Sequence, residues 1–309
     1  MLRPVHAALP RDSEPELVAE SLVPDDADAV PGSTRPIGAI LAELRGLDAA
    51  QIDRIVALQR KRGMRFGEAA VALGLARGDE VLWALSQQFG YPYAPASRQG
   101  LNPELVTALE PFGARAEAFR AVRSQLTMRL DRPGAARRAL AVVSPDSGDG
   151  KTYFAANIAI ALSQIGGRTV LVDGDLRHPR QHQVFGVDNS RGLSTVLSGR
   201  SAEHALHPVP QLPSLFVLPV GPTPPNPLEL LERPGCAILL RELLERFDHV
   251  VVDTTAAVRG SDAVVLAAKC GAALALARRG RSRIDALQTL VGLLGQTRAE
   301  VAGVVMNEY

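Results

Sequence analysis

The sequence predicts an α/β domain with a doubly wound, mostly parallel sheet, preceded by a small all-helical module. Three observations carry this. From Ala139 onward, short apolar runs alternate with longer segments of helical period. Three of those runs lead into stretches of glycine and aspartate: S-P-D-S-G-D-G-K-T (Ser144 to Thr152), V-L-V-D-G-D-L-R (Val170 to Arg177) and V-V-V-D (Val250 to Asp253). Upstream, Pro36 to Gln59 aligns without a gap to Arg65 to Gln88.

Taken in order, residues 1–34 hold five prolines and the acidic cluster Asp25, Asp26 and Asp28, with no periodicity, and read as a disordered arm. Residues 35–90 form the helical module. In its repeat Gly38 matches Gly67, Ile52 matches Val81, Val56 matches Leu85 and Gln59 matches Gln88, with two short helices expected per copy. Asp48 followed by Gln51 looks like a capping box at the second helix. Residues 91–113, rich in proline, read as a linker. A helix is expected over Ala114 to Leu130, with Phe119, Val122, Leu126 and Leu130 on one face. The α/β domain occupies 114–309. Its expected strands are Ala139–Ser144, Thr169–Asp173, Leu215–Val220, His249–Asp253, Ala273–Ala277 and Val301–Met306. Near-continuous apolar strands are what a sheet covered on both faces requires.

Bulk properties remove several classes. A net charge of +1 gives no basic surface to track nucleic acid. Cys236 and Cys270 lack metal-ligand spacing, and Cys270 reads as a buried core thiol. The six histidines are scattered, so no metal site is read in them. The start has no signal-peptide core, and the apolar stretch Ala263 to Ala277 is broken by Lys269 and too short to span a bilayer. A cytoplasmic protein is expected. Lys61, Lys151 and Lys269 are the only lysines, so a lysine at the end of a glycine-rich turn is a chemical choice against an arginine background.

The three strand ends carry the chemistry. A turn of Gly148, Asp149, Gly150, Lys151 and Thr152 leading into a helix from Tyr153 can wrap backbone N–H groups around phosphates. Lys151 would then reach the β- and γ-phosphates, and the Thr152 hydroxyl would bind Mg²⁺. Pro145 stands where the usual G-x-x-x-x-G-K-[ST] pattern has its first glycine. Asp173, Asp175 and Asp253 end neighbouring apolar runs and would bind the metal or orient the attacking group. ATP with Mg²⁺ is the expected ligand.

These residues resemble the bacterial protein-tyrosine kinases of polysaccharide export, which use a MinD-like P-loop fold. The resemblance runs from about Glu117 to Asn307 and includes G-L-S-T-V-L-S-G (Gly192–Gly199), G-P-T-P-P-N-P-L-E-L-L (Gly221–Leu231) and G-V-V-M-N (Gly303–Asn307). It implies that Asn307 contacts adenine and that Glu117, Arg120 and Arg123 form an oligomer interface. By spacing alone, those three could equally be intrahelical ion pairs. The partition-type relatives of this fold carry a further lysine early in the loop, where this chain has Asp146. The N-terminal repeat resembles the N-terminal module of type II secretion ATPases, versions of which bind cyclic di-GMP. Copy two keeps that pattern as Arg65, Phe66, Gly67, Gly74 and Gln88, whereas copy one has Pro36 in the arginine place and Gly46 one position off. The alternative is a docking module. Helical module plus kinase domain is similar to the EpsG-type chain-length determinant kinases, which implies a separate membrane co-polymerase as partner and a homo-oligomer.

Two departures bear on activity. The family's D-T-P-P is Asp253-Thr254-Thr255-Ala256 here, and in place of a terminal tyrosine cluster the sequence has Tyr309, the candidate phosphoacceptor. Tyr91, Tyr93 and Tyr153 lie elsewhere. The expected function is an ATP-dependent tyrosine autokinase that regulates exopolysaccharide chain length, polymerisation and export. The competing readings are a non-kinase ATPase switch and an adaptor of the same machinery.

Overall fold

The computed structural model describes residues 35–88, 100–130, 134–200 and 203–308. The expected arm (1–34), residues 89–99 and Tyr309 lie outside the described residues.

The repeat folds as four helices, α1 (Ile37–Arg45), α2 (Ala49–Arg62), α3 (Phe66–Ala72) and α4 (Gly78–Gln88). The helices of copy two begin at the residues aligned with the starts in copy one, Phe66 with Ile37 and Gly78 with Ala49. The Asp48 carboxylate accepts from Gln51 N at 2.7 Å while Asp48 N donates to Gln51 Oε1 at 3.0 Å, the reciprocal capping box. Copy two repeats half of it, with Arg77 N donating to Glu80 Oε2 at 2.8 Å. Leu41, Ile55, Ala69, Ala70 and Ala84 close a core of their own.

The α/β unit holds α5 (Val106–Leu109), α6 (Ala114–Leu130), β1 (Ala139–Val143), α7 (Lys151–Ser163), β2 (Thr169–Gly174), α8 (Gln181–Phe185) and α9 (Leu193–Leu197). It continues with β3 (His207–Val209), β4 (Leu212–Leu218), α10 (Pro227–Glu232), α11 (Pro234–Arg246), β5 (His249–Thr254), α12 (Asp262–Cys270), β6 (Gly271–Arg278), α13 (Ile284–Gly295) and β7 (Glu300–Asn307). The seven strands lie in the order β3-β4-β2-β5-β1-β6-β7. All pairs are parallel except β3 with β4. The sheet is thus doubly wound and mostly parallel, as expected.

Alternation along the strands divides the core. Val250 and Val252 face a cluster built with α9 to α13, and Val251 faces a second cluster built with α5, α6 and α7. Helix α7 is apolar around nearly its whole circumference because it is packed on the sheet beneath α5 and α6. Both cysteines are buried, and burial pushes the Cys236 thiol up to about 11.

Six strands fall where the apolar runs place them. The seventh, β3, is three residues long and contains Pro208, so periodicity had nothing to register; proline is tolerated there because β3 is an edge strand. The expected linker is corrected at its C-terminal part. From Leu101 the chain packs on the α/β core, with Leu105, Val106 and Ala108 buried. A polar tie explains this. Asn157, fully buried on α7, accepts from Thr107 N at 2.9 Å and donates to Glu104 O at 2.8 Å and Tyr153 O at 2.9 Å. Gln164 Nε2 adds a bond to Thr107 O at 3.2 Å. Prolines mark a break in helix, and they are equally compatible with an ordered strap.

Asn157→Ala would strand the Thr107 N–H in the core and remove one of the two hydrogen bonds to the Glu104 carbonyl, at a cost of about 1–3 kcal/mol. Urea unfolding should show a lower midpoint at unchanged slope, with faster amide exchange at Thr107; wild-type exchange there would contradict the tie.

Candidate active site

The phosphate loop begins where β1 ends. Ser144, buried at the strand terminus, donates its hydroxyl to Asp146 O at 2.8 Å and accepts from Lys151 Nζ at 3.0 Å. Lys151 is therefore folded back over the loop it follows, and its side chain is largely buried. Burial lowers its pKa, and Asp253, Asp175, Asp149 and Asp146 oppose that shift. Gly150 has φ +96°, and a Cβ there would lie 2.3 Å from Asn307 Nδ2, so glycine is required for two reasons.

The loop is braced from outside. The Asp149 carboxylate is fully buried and accepts from Asp146 N at 2.9 Å and from Ser282 Oγ at 2.8 Å. Arg278 Nη1 donates to Gly148 O at 3.1 Å, and Asn307 Nδ2 donates to Asp149 O at 3.0 Å. Asp149 thus offers only its backbone to a phosphate, because its carboxylate is engaged inside the loop. Asn307 stands at the end of β7, touching the loop and lining the pocket beside it.

Register places the carboxylates. β2 and β5 pair Asp173 with Asp253 and Gly174 with Thr254. A Cβ on Gly174 would lie 2.6 Å from Asp253 O, so the residue between the two aspartates of D-G-D has to be glycine. Asp173 is fully buried; Oδ1 accepts from Asp175 N at 3.2 Å, and Oδ2 accepts from Arg180 N at 3.0 Å and Gln181 N at 2.9 Å. Burial and the neighbouring Asp253 push its pKa well above the usual carboxylate range. Asp253 is raised to about 6 by burial, against the pull of Lys151 and hydrogen bonds from Thr152 and Gln181. Its Oδ2 accepts from Gln181 Nε2 at 2.9 Å, whereas its buried Oδ1 has no hydrogen-bond partner among the described residues.

These residues line or underlie a cleft of about 570 Å³ at the carboxyl ends of the strands. Gly148, Gly150, Lys151, Thr152, Tyr153, Asp175 and Asn307 reach its wall. Asp173 and Asp253 sit behind that wall, because they pair one rung before the end of the β2–β5 ladder and so lie inside the sheet. Arg180, Arg259 and Arg278 give the cleft a cationic rim suited to a polyphosphate.

The residues fit Mg²⁺. The Thr152 hydroxyl adjoins Asp253, and the orphaned Asp253 Oδ1 is the acceptor that a cation or its water would satisfy. Asp173, expected in the same set, has both oxygens occupied by backbone N–H groups and serves as a brace for residues 175–181. No group of three or more His, Cys, Asp or Glu among the described residues is arranged to hold an ion alone. Phosphate oxygens and water would complete the shell, as Mg²⁺ sites commonly require.

On α6, Glu117 pairs with Arg120 at 2.6 Å, and Arg120 Nη1 also donates to Pro111 O at 2.5 Å. Arg123 Nη1 donates to Ala161 O at 2.9 Å. All three are thus held within the chain or on its own helix. Several contributors were not foreseen. Gln181 bridges Thr152 O and Asp253, Ser282 braces Asp149, and Glu104 lies at the cleft paired with Arg180, Nη1 to Oε2 at 3.0 Å. They stand in separate loops with no shared spacing, so nothing in the linear order joins them.

No helix among the described residues is long and apolar enough to cross a membrane. The CobQ/CobB/MinD/ParA nucleotide binding domain matches residues 140–309. The putative tyrosine-protein kinase CapB of Staphylococcus aureus is 31% identical over 202 residues, 64% of this chain and 86% of that protein. The putative tyrosine-protein kinase EpsB of Ralstonia solanacearum is 33% identical over 192 residues, 62% of this chain, and the match spans only 25% of EpsB. Among solved structures, the chimerical protein CapA2B2 aligns with a TM-score of 0.62 at 30% identity, covering 73% of this chain and 97% of that one. The kinase domain of the Escherichia coli tyrosine kinase ETK aligns with a TM-score of 0.63 at 25% identity, covering 70% and 88%. The chain belongs to the CobQ/CobB/MinD/ParA nucleotide-binding family and, within it, to the bacterial tyrosine-protein kinases that include CapB.

Proposed function

We propose that this chain is an ATP-dependent protein-tyrosine autokinase acting in exopolysaccharide production, with a membrane co-polymerase as its partner. One observation carries the reading. Lys151, largely buried, and the Asp175 carboxylate both line a cation-rimmed cleft, with Asp253 buried behind them. Phosphoryl transfer depends mainly on positioning and charge neutralisation, and this set supplies both.

In this reading the loop N–H groups and Lys151 hold the β- and γ-phosphates, and Asn307 contacts the adenine. Mg²⁺ held by Thr152 and Asp253 would neutralise charge on the phosphates. A tyrosine oxygen attacks the γ-phosphorus in line, the bond to the β-phosphate oxygen breaks, ADP leaves, and Asp175 takes the phenolic proton. Asp173 keeps the Asp175 loop in place. Tyr309 is the proposed acceptor. The protein would act at the cytoplasmic face of the membrane through its partner, as an oligomer in which Glu117, Arg120 and Arg123 meet a neighbouring copy.

For residues 35–88 a docking role is favoured over cyclic di-GMP binding. Phe66 and Gly67 of the dinucleotide pattern are occupied in packing, Phe66 against Gly38 and Gly67 against Val81. Arg65 and Gln88 remain exposed. Calorimetry of the full chain with cyclic di-GMP should give no heat; saturable heat lost in Arg65→Ala would reverse this assignment.

Incubated with Mg-ATP, the purified protein should gain phosphotyrosine detectable by mass spectrometry. Lys151→Ala should lower turnover by about 100-fold or more, and Tyr309→Phe should remove the modified terminal peptide. Lys151-dependent hydrolysis with no phosphotyrosine would establish the ATPase-switch reading in its place.

A further inference from the structure

Just past the last rung of the β2–β5 ladder, Gly174 with Thr254, Asp175 and Thr255 meet through a side-chain hydrogen bond. We propose that Thr255 is a positioning residue that aims Asp175 at the acceptor tyrosine. This rests on the phosphoryl-transfer reading above and adds to it the group that orients the proton acceptor.

The Thr255 hydroxyl donates to Asp175 Oδ1 at 2.8 Å. The same oxygen accepts from Arg177 N at 3.2 Å and His178 N at 3.0 Å. Three donors on one oxygen fix the carboxylate plane. They leave Oδ2 without a hydrogen bond among the described residues, on a side chain that lines the cleft. The two peptide donors belong to the same loop as Asp175 and move with it. Thr255 is the donor anchored elsewhere.

Its anchoring is tight. Thr255 is 1% exposed, and a β-branched side chain has few rotamers in which to carry its hydroxyl. The preceding Thr254 hydroxyl donates to Val142 O at 2.7 Å. The following residues are tied to the phosphate loop, Ala257 N to Ser144 O and Val258 N to Pro145 O, each at 2.9 Å. The orientation of Asp175 is thereby referred to the strand and loop that carry Lys151. Thr255 also occupies a place where the D-T-P-P pattern has proline, which has no hydroxyl to give. The bidentate pair of Arg177 with Asp262, Nε to Oδ2 at 3.1 Å and Nη2 to Oδ1 at 3.3 Å, steadies the same loop from α12.

The test uses the full chain with Mg-ATP, following ATP turnover and phosphotyrosine. Thr255→Val keeps the shape and removes the hydroxyl; kcat should fall about 10- to 100-fold with KM for ATP within about twofold. Thr255→Ser should recover most of the loss. In an Asp175→Ala background Thr255→Val should cost nothing further, since the two act through one carboxylate. Thr255→Ala replaces the valine variant if circular dichroism shows that the latter does not fold. Wild-type turnover in Thr255→Val, equal losses in Val and Ser, or additive losses with Asp175→Ala would each overturn the proposal. A wild-type protein with no turnover, or an active Lys151→Ala, would instead overturn the phosphoryl-transfer reading on which it rests.

Discussion

The site depends on keeping one lysine and its neighbouring carboxylates out of water together. Burial disfavours the charged form of Lys151 and likewise of Asp173 and Asp253; Lys151 and Asp253 partly relieve each other, and peptide N–H groups partly relieve Asp173. The relief is incomplete. Asp253 keeps one oxygen without a hydrogen-bond partner, and the two aspartates stand side by side across the ladder. Such an arrangement is retained because its surroundings leave no room to relax: the strands flanking it are buried on both faces, and Gly174 packs directly on the Asp253 carbonyl. A polyphosphate with its cation would complete this balance, presenting negative charge to Lys151 and positive charge to Asp253.

The phosphate loop itself is held by parts of the chain distant in sequence. Ser282 and Arg278 reach it from the end of β6, Asn307 from the end of β7, and Ala257 and Val258 from beyond the end of β5. The strap at 101–109 grips α7 through Asn157, and its Glu104 closes on Arg180 at the cleft. Every strand end facing the cleft therefore contributes either a ligand-facing group or a brace. This is how a parallel sheet concentrates chemistry at its carboxyl edge.

The boundaries of α6, the capping box at Asp48, six of the strands and the pairing of the repeat were legible because each follows from local period or local hydrogen bonding. Lys151, Thr152 and the D-x-D residues were legible because phosphate chemistry needs those types directly after apolar strands. The strap was hidden by its prolines, and β3 by its shortness. Asp149 was readable as part of the loop, whereas the inward turn of its carboxylate was not, since Ser282 lies 133 residues away.

By itself, the sequence determined the fold class, the helical repeat, and a lysine and carboxylates gathered at the ends of adjacent strands, since apolar periodicity and turn residues act over short spans. Only the tertiary structure decided how the carboxylates divide the work. Asp173 is saturated by peptide N–H groups, Asp253 is buried with one oxygen open, and Asp175 faces the cleft with Thr255 holding it. That division follows from strand register and from which donors reach each oxygen, and both are set by contacts between residues far apart in the chain.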